Sequence, residues 1–321
     1  MRRFFKEVII HMSRLVVTGG SGFIGTNVVQ YYLDKGWDVI NISRSAPKIV
    51  QHRKYWKQAS VTEKTHLSEI IVGFAPDYII HLAGRTDLKG KCLSDYRVNV
   101  DGVSNILEIA SLCKDLKKII FTSSLLASNP STAYGESKAI GEKEVFRRPP
   151  QCDWSIIRPT AIWGPWFHSS YYTFFNSILR GRYFHINHVN STKTFGYIGN
   201  VIYQIDCILN TDTKANNEKI FYLGDYEPYD IQAWADEIAA DYGKKLFVLP
   251  FWIAKSVAFV GNLLDSFGVS FPLNTSRLKN MMTDNIVCLD KTKFIAPVLP
   301  YTRKDGIQNV EKWMNDKAGY N

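Results

Sequence analysis

Three glycines spaced three residues apart constrain this chain more than any other feature of its sequence. Gly19, Gly22 and Gly25 follow the apolar run Arg14–Thr18 and open a helical stretch over Gly22–Lys35. A glycine turn between a strand and a helix is the context in which such a pattern binds a dinucleotide. Gly19 permits the tight turn, Gly22 lets the backbone approach the pyrophosphate, and Gly25 allows the helix to pack closely on the sheet. The sequence therefore begins with a predicted dinucleotide site.

The rest of the N-terminal half alternates between apolar runs and helical patterns. Strands that are apolar throughout are typical of a parallel sheet covered on both faces. Right-handed crossovers then favour a doubly wound topology, so we expect an α/β fold of the Rossmann type. The predicted strands after the first are Trp37–Ile42, Tyr78–His81, Lys118–Thr122 and Trp154–Arg158.

The alternation ends at about Pro159, where aromatic and turn residues become dense. We expect residues 14–160 to form the dinucleotide-binding domain. Residues 161–321 are expected to form mainly a smaller, interleaved substrate-binding lobe, with segments that return to the Rossmann domain. Residues 1–13 are expected to be a disordered extension, because the recognisable fold starts at its first strand.

One apolar segment, Phe251–Phe267, has several possible roles. It contains Lys255 and Asp265, and its length and charges do not suit a membrane span. Packing against the core, a pocket lid and contact with a membrane surface all remain open. Four apolar residues of the segment recur at helical spacing: Ile253, Val257, Val260 and Leu264.

Composition excludes several classes of protein. The net charge is +9, from 39 basic and 30 acidic residues, which suits an anionic small molecule or an anionic membrane face as well as simple solubility. No aromatic-basic module predicts nucleic-acid binding. Five scattered cysteines without a CxxC pair indicate reduced thiols and no metal site. The start Met1–Ile10 is a poor signal peptide, so we expect a cytoplasmic protein.

The end of the second strand bears on the choice of dinucleotide. An acidic side chain there would hold the ribose hydroxyls of NAD. This chain has Ser43 followed by Arg44 at that point, with Lys48 nearby. A small polar residue beside a cation suits the 2′-phosphate of NADP better, although Arg44 in a solvated loop would look the same. NADP is therefore the predicted cofactor, with NAD as the alternative.

A tyrosine and a lysine four residues apart supply the candidate chemistry. Tyr134 and Lys138 share one face of a predicted helix. An ammonium beside the phenol, together with an oxidised nicotinamide, would lower the tyrosine pKa from about 10 and make it a usable acid and base. Thr122–Ser124 ends a strand just upstream, at the edge where parallel sheets bind their ligands.

With these motifs together, the sequence resembles the NAD-dependent epimerase/dehydratase family, within the extended short-chain dehydrogenase/reductase superfamily. The resemblance covers nearly the whole chain. It rests on the glycine loop and the Tyr134 motif, and on seven further stretches: 81–84 (HLAG), 99–102 (NVDG), 121–124 (FTSS), 158–165 (RPTAIWGP), 193–198 (KTFGYI), 305–307 (DGI) and Trp313.

The resemblance implies roles for individual residues. Ser124 would bind the reacting sugar oxygen, Tyr134 would exchange its proton, and Lys138 would hold the nicotinamide ribose. Substrate contacts are implied for Thr86, Ser124, Ala161 and Lys193, the last at the substrate diphosphate. Cofactor contacts are implied for Gly19, Gly22, Phe23, Ile24, Gly25, Ser43, Arg44, Leu82, Ala83, Gly84, Asn99, Tyr134, Lys138 and Pro159.

Departures from the family pattern narrow the reaction. Leu125 and Leu126 stand where the family's dehydratases place an Asp-Glu pair, so 4,6-dehydration is not expected. Ala161 replaces the epimerases' asparagine and leaves an apolar pocket with Trp163 and Trp166.

The leading prediction is reduction of a 4-keto nucleotide sugar, or the reverse dehydrogenation, in polysaccharide biosynthesis. A 4-epimerase with tightly bound NAD is the nearest alternative. A non-catalytic NAD(P) sensor or scaffold, and an enzyme acting on a lipid or sterol, are the others. The expected partners are a nucleotide sugar, a second copy in a homodimer and a peripheral membrane contact.

Overall fold

The computed structural model describes residues 12–167, 170–212, 219–267 and 273–318. Residues 1–11 of the predicted extension lie outside the described residues. The chain divides into two compact units, and both are discontinuous in sequence. The first comprises the described part of Met1–Arg158 with Ile208–Phe221, and the second comprises that of Pro159–Cys207 with Tyr222–Asn321.

The strands of the described residues are short and run through both units. In chain order they are β1 (Arg14–Thr18), β2 (Asp38–Ser43), β3 (Trp56–Gln58), β4 (Tyr78–His81), β5 (Lys118–Thr122), β6 (Asp153–Pro159), β7 (Ala161–Trp163), β8 (Phe184–Ile186), β9 (Thr192–Lys193), β10 (Phe195–Tyr197), β11 (Ile220–Leu223), β12 (Tyr229–Asp230) and β13 (Phe247–Leu249).

The helices alternate with the strands in the first unit and dominate the second. They are α1 (Phe23–Asp34), α2 (Lys64–Phe74), α3 (Arg97–Ala110), α4 (Ala133–Arg147), α5 (Ser170–Leu179), α6 (Ile198–Asn210), α7 (Ile231–Asp241), α8 (Phe251–Ser266), α9 (Thr275–Met281), α10 (Asp290–Ile295) and α11 (Arg303–Ala318). Single 3-10 turns cover Val50–Tyr55, Leu93–Tyr96 and Leu125–Ala127.

A seven-stranded sheet organises the first unit. Its described strands hydrogen-bond in the order β11-β6-β5-β4-β1-β2-β3. The pairs from β6 through β3 are parallel. The chain runs from β1 outward to β3, then returns to β4 on the other side of β1 and continues to β6. The order therefore reverses between β1 and β4, which is where such sheets bind their ligands.

This architecture confirms the predicted Rossmann-type fold. Strands β1, β4 and β5 have the predicted bounds, and the bounds of β2 and β6 differ from the predicted ones by one residue at each end. The central strands are almost wholly buried, as in β1, where Leu15, Val16 and Val17 have no exposed surface. Helices on both faces exclude water from such strands, so an uninterrupted apolar run suits them.

An aromatic cluster forms the core of the second unit. Trp163 is fully buried and stacks on Phe175, with their ring centroids 5.7 Å apart. Trp234 lies 5.2 Å from Trp163, and Tyr197 lies 5.1 Å from it. The expectation that Trp163 lines an apolar pocket is therefore wrong. Its large ring is the centre around which this unit packs, and it has no surface left for a ligand.

The segment Phe251–Phe267 forms helix α8 and the turn after it. Its buried positions are offset by one residue from the apolar stripe seen in the sequence. Ala254 and Ala258 are buried, whereas Val260 of the predicted stripe is half exposed. None of the helices in the described ranges is long and apolar enough to cross a membrane.

Candidate active site

The glycine loop after β1 is a tight turn held by backbone hydrogen bonds. Gly19 has a φ of +73°, a conformation that L side chains rarely adopt. Its N–H donates to the Ile42 carbonyl at 2.7 Å, and its own carbonyl accepts from the Gly22 N–H at 2.9 Å. The turn thereby joins β1 and β2 and directs the chain into α1.

The packing of the protein itself requires glycine at positions 19 and 25. A Cβ at Gly19 would lie 2.8 Å from the Ala83 nitrogen, and one at Gly25 would collide with the Gly19 carbonyl. Gly22 differs, because a Cβ there would meet only the Gly19 oxygen, at 3.2 Å. A Cβ at Gly22 would need the Gly19 carbonyl to move by only a few tenths of an ångström, so the packing demands glycine less strictly here, and glycine also suits a ligand that lies against the backbone.

The start of α1 suits an anion. Gly22 caps the helix without a side-chain hydrogen bond, and the first turn, which begins at Phe23 and Ile24, carries no acidic residue. The N–H groups and the positive end of the helix dipole therefore meet no negative side chain of that turn. Together with the absence of a side chain at Gly22, this arrangement fits the pyrophosphate of a dinucleotide.

Ser43 and Arg44, at the end of β2, have different surroundings: the Ser43 hydroxyl faces the glycine loop, and Arg44 is exposed. The Ser43 hydroxyl belongs to a polar cluster under the glycine loop, where it accepts from the Ser21 N–H at 3.2 Å and donates to the Asn41 amide oxygen. Arg44 is exposed, and within the described part of the chain its guanidinium makes no hydrogen bond or ion pair. Ser43 is thus a structural residue of the turn, while Arg44 is accessible to a ligand.

The loop after β4 packs against the glycine turn. Thr18 links the two, because its hydroxyl accepts from the Ala83 N–H at 3.3 Å and bonds the His81 Nδ1 at 2.8 Å. Burial, reinforced by the Lys138 ammonium, lowers the pKa of His81 to about 3, so this imidazole is neutral at physiological pH. Leu82 donates its N–H to the Thr18 carbonyl at 3.0 Å.

The Asn99 side chain makes hydrogen bonds with the backbone of this loop. Its amide oxygen accepts from the Arg85 N–H at 2.7 Å, and its amide nitrogen donates to the Arg85 carbonyl and to the Ser137 hydroxyl. A Cβ at Gly84 would lie 2.8 Å from this amide oxygen and 3.3 Å from the Lys138 Nζ. Asn99 therefore holds the loop at Gly84 against α4. Thr86, the predicted substrate contact, is exposed on the same loop.

Helix α4 begins where Tyr134 can meet Ser124. Thr132 caps the helix by accepting from the Gly135 N–H at 3.1 Å. A Cβ at Gly135 would lie 2.7 Å from the Leu126 carbonyl, so glycine lets the helix start against the Leu125–Ala127 turn. Tyr134 is buried apart from a small exposed edge, and the Ser124 hydroxyl lies close enough to Tyr134 to lower the pKa of the phenol, against the larger effect of burial. The structure thus brings together the two residues predicted to contact the reacting oxygen.

Lys138 lies one turn further along α4. Its buried Nζ donates to the Thr122 carbonyl at 2.9 Å, and burial lowers its pKa to about 8, opposed by the Glu142 carboxylate. Burial also raises the pKa of Tyr134, opposed by the Ser124 hydroxyl. In the protein alone, desolvation of the phenolate outweighs the opposing hydroxyl, and the lowering predicted for Tyr134 beside an oxidised nicotinamide stays a prediction.

Two neighbours of this centre, Tyr96 and Glu142, lie outside the stretches that carried the family resemblance. The buried ring of Tyr96 lies 5.8 Å from that of Tyr134, and its hydroxyl donates to the Asp87 carbonyl at 2.6 Å. Glu142 pairs with Arg158 through two hydrogen bonds, of 2.8 and 2.5 Å. Glu142 follows Lys138 at the spacing that separates Lys138 from Tyr134, and this periodicity was the one available signal.

Three other predicted site residues belong to the second unit. Pro159 ends β6, and Ala161 starts β7, which pairs with β10. The Lys193 ammonium donates to the Asn280 carbonyl at 2.7 Å. Burial lowers the pKa of Lys193, and Asp284 opposes this effect. Lys193 is thus a partly buried cation held by α9, and not a freely solvated surface lysine.

Within the first unit, the arrangement can bind and polarise a carbonyl or alcohol beside a dinucleotide. Ser124 and Tyr134 present hydroxyl groups at the carboxyl end of β5, and Lys138 places a cation in the same region. The glycine turn and the loop after β4 flank the point where the strand order reverses. The residues present thus fit an NAD(P) cofactor.

Comparisons with known proteins agree on one family. The model of the NAD-dependent epimerase/dehydratase family matches residues 15–224. A curated relative is the N-acetyl-alpha-D-glucosaminyl-diphospho-ditrans,octacis-undecaprenol 4-epimerase of Escherichia coli O157:H7. It is 24% identical over 319 residues, which cover 91% of this chain and 92% of the relative.

Two solved structures show the same fold. UDP-glucose 4-epimerase from Thermotoga maritima, solved with UDP-glucose, superposes with a TM-score of 0.73 at 18% sequence identity. The superposition covers 95% of this chain and 99% of the Thermotoga maritima chain. UDP-glucuronic acid 4-epimerase from Bacillus cereus, solved with NAD, gives a TM-score of 0.72 at 17% identity, with coverages of 94% and 96%. With the family model matching well over half of its length, the chain belongs to the NAD-dependent epimerase/dehydratase family.

Proposed function

We propose that this protein reduces the 4-keto group of a sugar diphosphate, with NADPH as the hydride donor, and that the same residues catalyse the reverse dehydrogenation. The observation that carries the proposal is that α4 packs against the end of β5: Gly135 lies against the Leu126 carbonyl and Lys138 donates to the Thr122 carbonyl at 2.9 Å, which places Tyr134 beside Ser124. Two adjacent hydroxyl groups can bind one carbonyl oxygen, and a nearby dinucleotide site supplies the redox partner.

Three residues of the chain would have separate roles in the reaction. Ser124 donates a hydrogen bond to the sugar oxygen, and Tyr134 transfers its proton to that oxygen as the alcohol forms. The raised pKa of Tyr134 keeps its phenol protonated at neutral pH, which suits a proton donor. Lys138, with a pKa of about 8, keeps most of its charge and would bind the nicotinamide ribose. A bound nicotinamide would supply the hydride.

The substrate class rests on the family and on its named members. The Escherichia coli relative acts on a diphospho-linked sugar, and the Thermotoga maritima structure holds UDP-glucose. Both ligands carry a sugar on a diphosphate, and Lys193 provides this chain with a cation for that group. The lack of acidic residues at Leu125 and Leu126 disfavours dehydration, because no side chain there could remove a proton from the sugar.

An isotope experiment tests the reaction. The purified protein is incubated with a UDP-4-keto sugar and NADPH that carries deuterium at the nicotinamide C4, and the product is examined by mass spectrometry and NMR. A reductase places one deuterium on the sugar C4 and consumes one NADPH for each product. Absence of deuterium from the sugar, with the cofactor unconsumed, would contradict the proposal.

A 4-epimerase is the second candidate, favoured by the 4-epimerase activity in the names of the relative and of both solved structures. It oxidises and re-reduces the same carbon, so it needs no added cofactor. Protein purified with NAD bound, which interconverts UDP-glucose and UDP-galactose without added NADPH, would establish this candidate. A non-catalytic sensor would bind the dinucleotide and turn over neither substrate.

We expect Arg44→Ala to weaken NADPH binding much more than NADH binding. A charge-assisted contact to the 2′-phosphate is worth roughly 1.5–3 kcal/mol, or about 10–150-fold in affinity, and NADH lacks that phosphate. Isothermal titration with both cofactors measures the ratio of the two changes. A ratio near one would mean that Arg44 is only a solvated loop residue, and the epimerase candidate would then be preferred.

A further inference from the structure

Helix α8 buries small apolar residues and exposes large ones, the reverse of what is expected of a helix whose outer face lies in water. Ala254 and Ala258 are the buried residues that join the local core of the second unit. Trp252 and Phe259 are 70% and 72% exposed, and Leu263 is also exposed. A helix with its outer face in water would bury the large side chains, because burial of apolar area stabilises the fold. The outer face of α8 is therefore unsuited to bulk water.

The apolar surface continues onto the strands before α8. Strand β13 pairs with β8 in parallel, and Phe247 is the register partner of Phe184. Both rings are exposed, and so is Val248 beside Phe247. Since Pro250 alone separates β13 from α8, Phe247 and the helix form one stretch of chain, and strand pairing brings Phe184 beside Phe247. We call the exposed apolar residues together the α8 face: Phe184, Phe247, Trp252, Phe259 and Leu263.

Exposed basic residues accompany the α8 face along the chain. Arg180 and Arg182 precede Phe184, and Lys244 and Lys245 precede Phe247, so each of the two paired strands starts beside two cations. Lys255 adds a fifth on α8 itself. All five residues are exposed. Three exposed acids lie near the same segments: Asp241, Asp265, and Asp236, which contacts His185 of β8. Five cations against three acids leave the balance positive.

We propose that the α8 face docks on the surface of an anionic phospholipid bilayer. Tryptophan and phenylalanine on a helix that lies in the plane of the interface, with lysine and arginine beside them, are what such a surface binds. The basic residues complement the negative surface potential, and the aromatic rings enter the boundary between headgroups and acyl chains. A second protein molecule would need no such excess of cations. The inference does not depend on the proposed reaction, since it concerns the second unit's surface.

Flotation of the full-length protein with vesicles tests the proposal. One set of vesicles is phosphatidylcholine alone, and the other is phosphatidylcholine mixed with phosphatidylglycerol. We expect the protein to float with the mixed vesicles, and binding to fall as the salt concentration rises. The double variant Arg182→Gln with Lys245→Gln should bind about thirtyfold more weakly, because each cation near an anionic surface strengthens binding about fivefold.

A matched pair of variants distinguishes docking through the α8 face from non-specific hydrophobic binding to vesicles. Phe259→Ser removes one exposed ring from the α8 face and should weaken vesicle binding at least about tenfold. Phe294→Ser removes an even more exposed ring, 82% accessible, from helix α10 and should leave binding unchanged. Neither ring is part of the buried core, so both variants are expected to fold, which circular dichroism and thermal unfolding can verify.

Three results would overturn the proposal. The first is failure of the wild-type protein to float with the mixed vesicles. The second is equal loss of binding in Phe259→Ser and Phe294→Ser. The third is a dimer in light scattering that Phe259→Ser, but not Phe294→Ser, converts to a monomer, since the α8 face would then be covered by a second copy of the chain. Reductase or epimerase turnover of a soluble substrate is read separately and does not enter this test.

Discussion

Tyr134→Phe is expected to reduce turnover by about 10²–10⁴-fold, because the substitution removes the proton carrier and keeps the ring. The ring fills a buried site beside Tyr96, so phenylalanine should preserve the packing. The dinucleotide should bind as before, since the glycine turn and Lys138 are untouched. Steady-state kinetics and titration with the cofactor measure the two effects separately.

Tyr96→Phe provides the control for this prediction. It removes a buried hydroxyl from the neighbouring ring, and with it the hydrogen bond to the Asp87 carbonyl. It should therefore cost about 1 kcal/mol of stability and little turnover. If Tyr134→Phe keeps more than half of the wild-type rate, or if both variants lose activity equally, Tyr134 is not the acid and base of the reaction.

Gly22→Val should abolish measurable dinucleotide binding in a protein that still folds. A Cβ at Gly22 would need the Gly19 carbonyl, 3.2 Å away, to move by a few tenths of an ångström, whereas the branched side chain would fill the space over the glycine turn. Loss of two charge-assisted hydrogen bonds to phosphate, at about 1.5 kcal/mol each, already weakens binding by roughly 150-fold. Isothermal titration measures the affinity, and urea unfolding measures the stability.

Gly73→Val is the matched control, since Gly73 lies in α2 with no atom near the position of its Cβ. It should fold and bind the dinucleotide like the wild type. Unchanged affinity in a folded Gly22→Val would mean that the glycine turn serves only the fold. Gly25→Val would not answer this question, because its Cβ collides with the Gly19 carbonyl and the protein should misfold.

Local patterns in the sequence were sufficient to predict the architecture of the first unit. An apolar run followed by a glycine turn and a helix has one well-populated geometry, and β1, β4 and β5 were predicted with their observed bounds. The four-residue spacing of Tyr134 and Lys138 needs only the helical repeat. The short strands β3 and β11 were not predicted, because three or four residues at the edges of a sheet carry little pattern of their own.

Contacts between distant residues could not be read in the same way. Nothing local distinguishes Asn99 as the residue that holds the Arg85 loop, since its partner Ser137 is 38 positions away. The bidentate pair of Glu142 with Arg158 and the ring of Tyr96 beside Tyr134 arise from the packing of separate elements. The direction of the Tyr134 pKa shift also depends on burial, which follows from the folded surroundings and not from the neighbouring charge in the sequence.

The sequence by itself determined the Rossmann-type fold, the glycine turn and the tyrosine-lysine pair, because each depends on residues within one or two turns of chain. Only the tertiary structure decided that Trp163 is core, that the packing constrains Gly22 less than Gly19 and Gly25, and that α8 turns Trp252 and Phe259 outward. Helical periodicity shows that a helix has faces, but which face is buried depends on the shape of the surface it meets. In α8 that surface accommodates alanines, and the large rings are left outside.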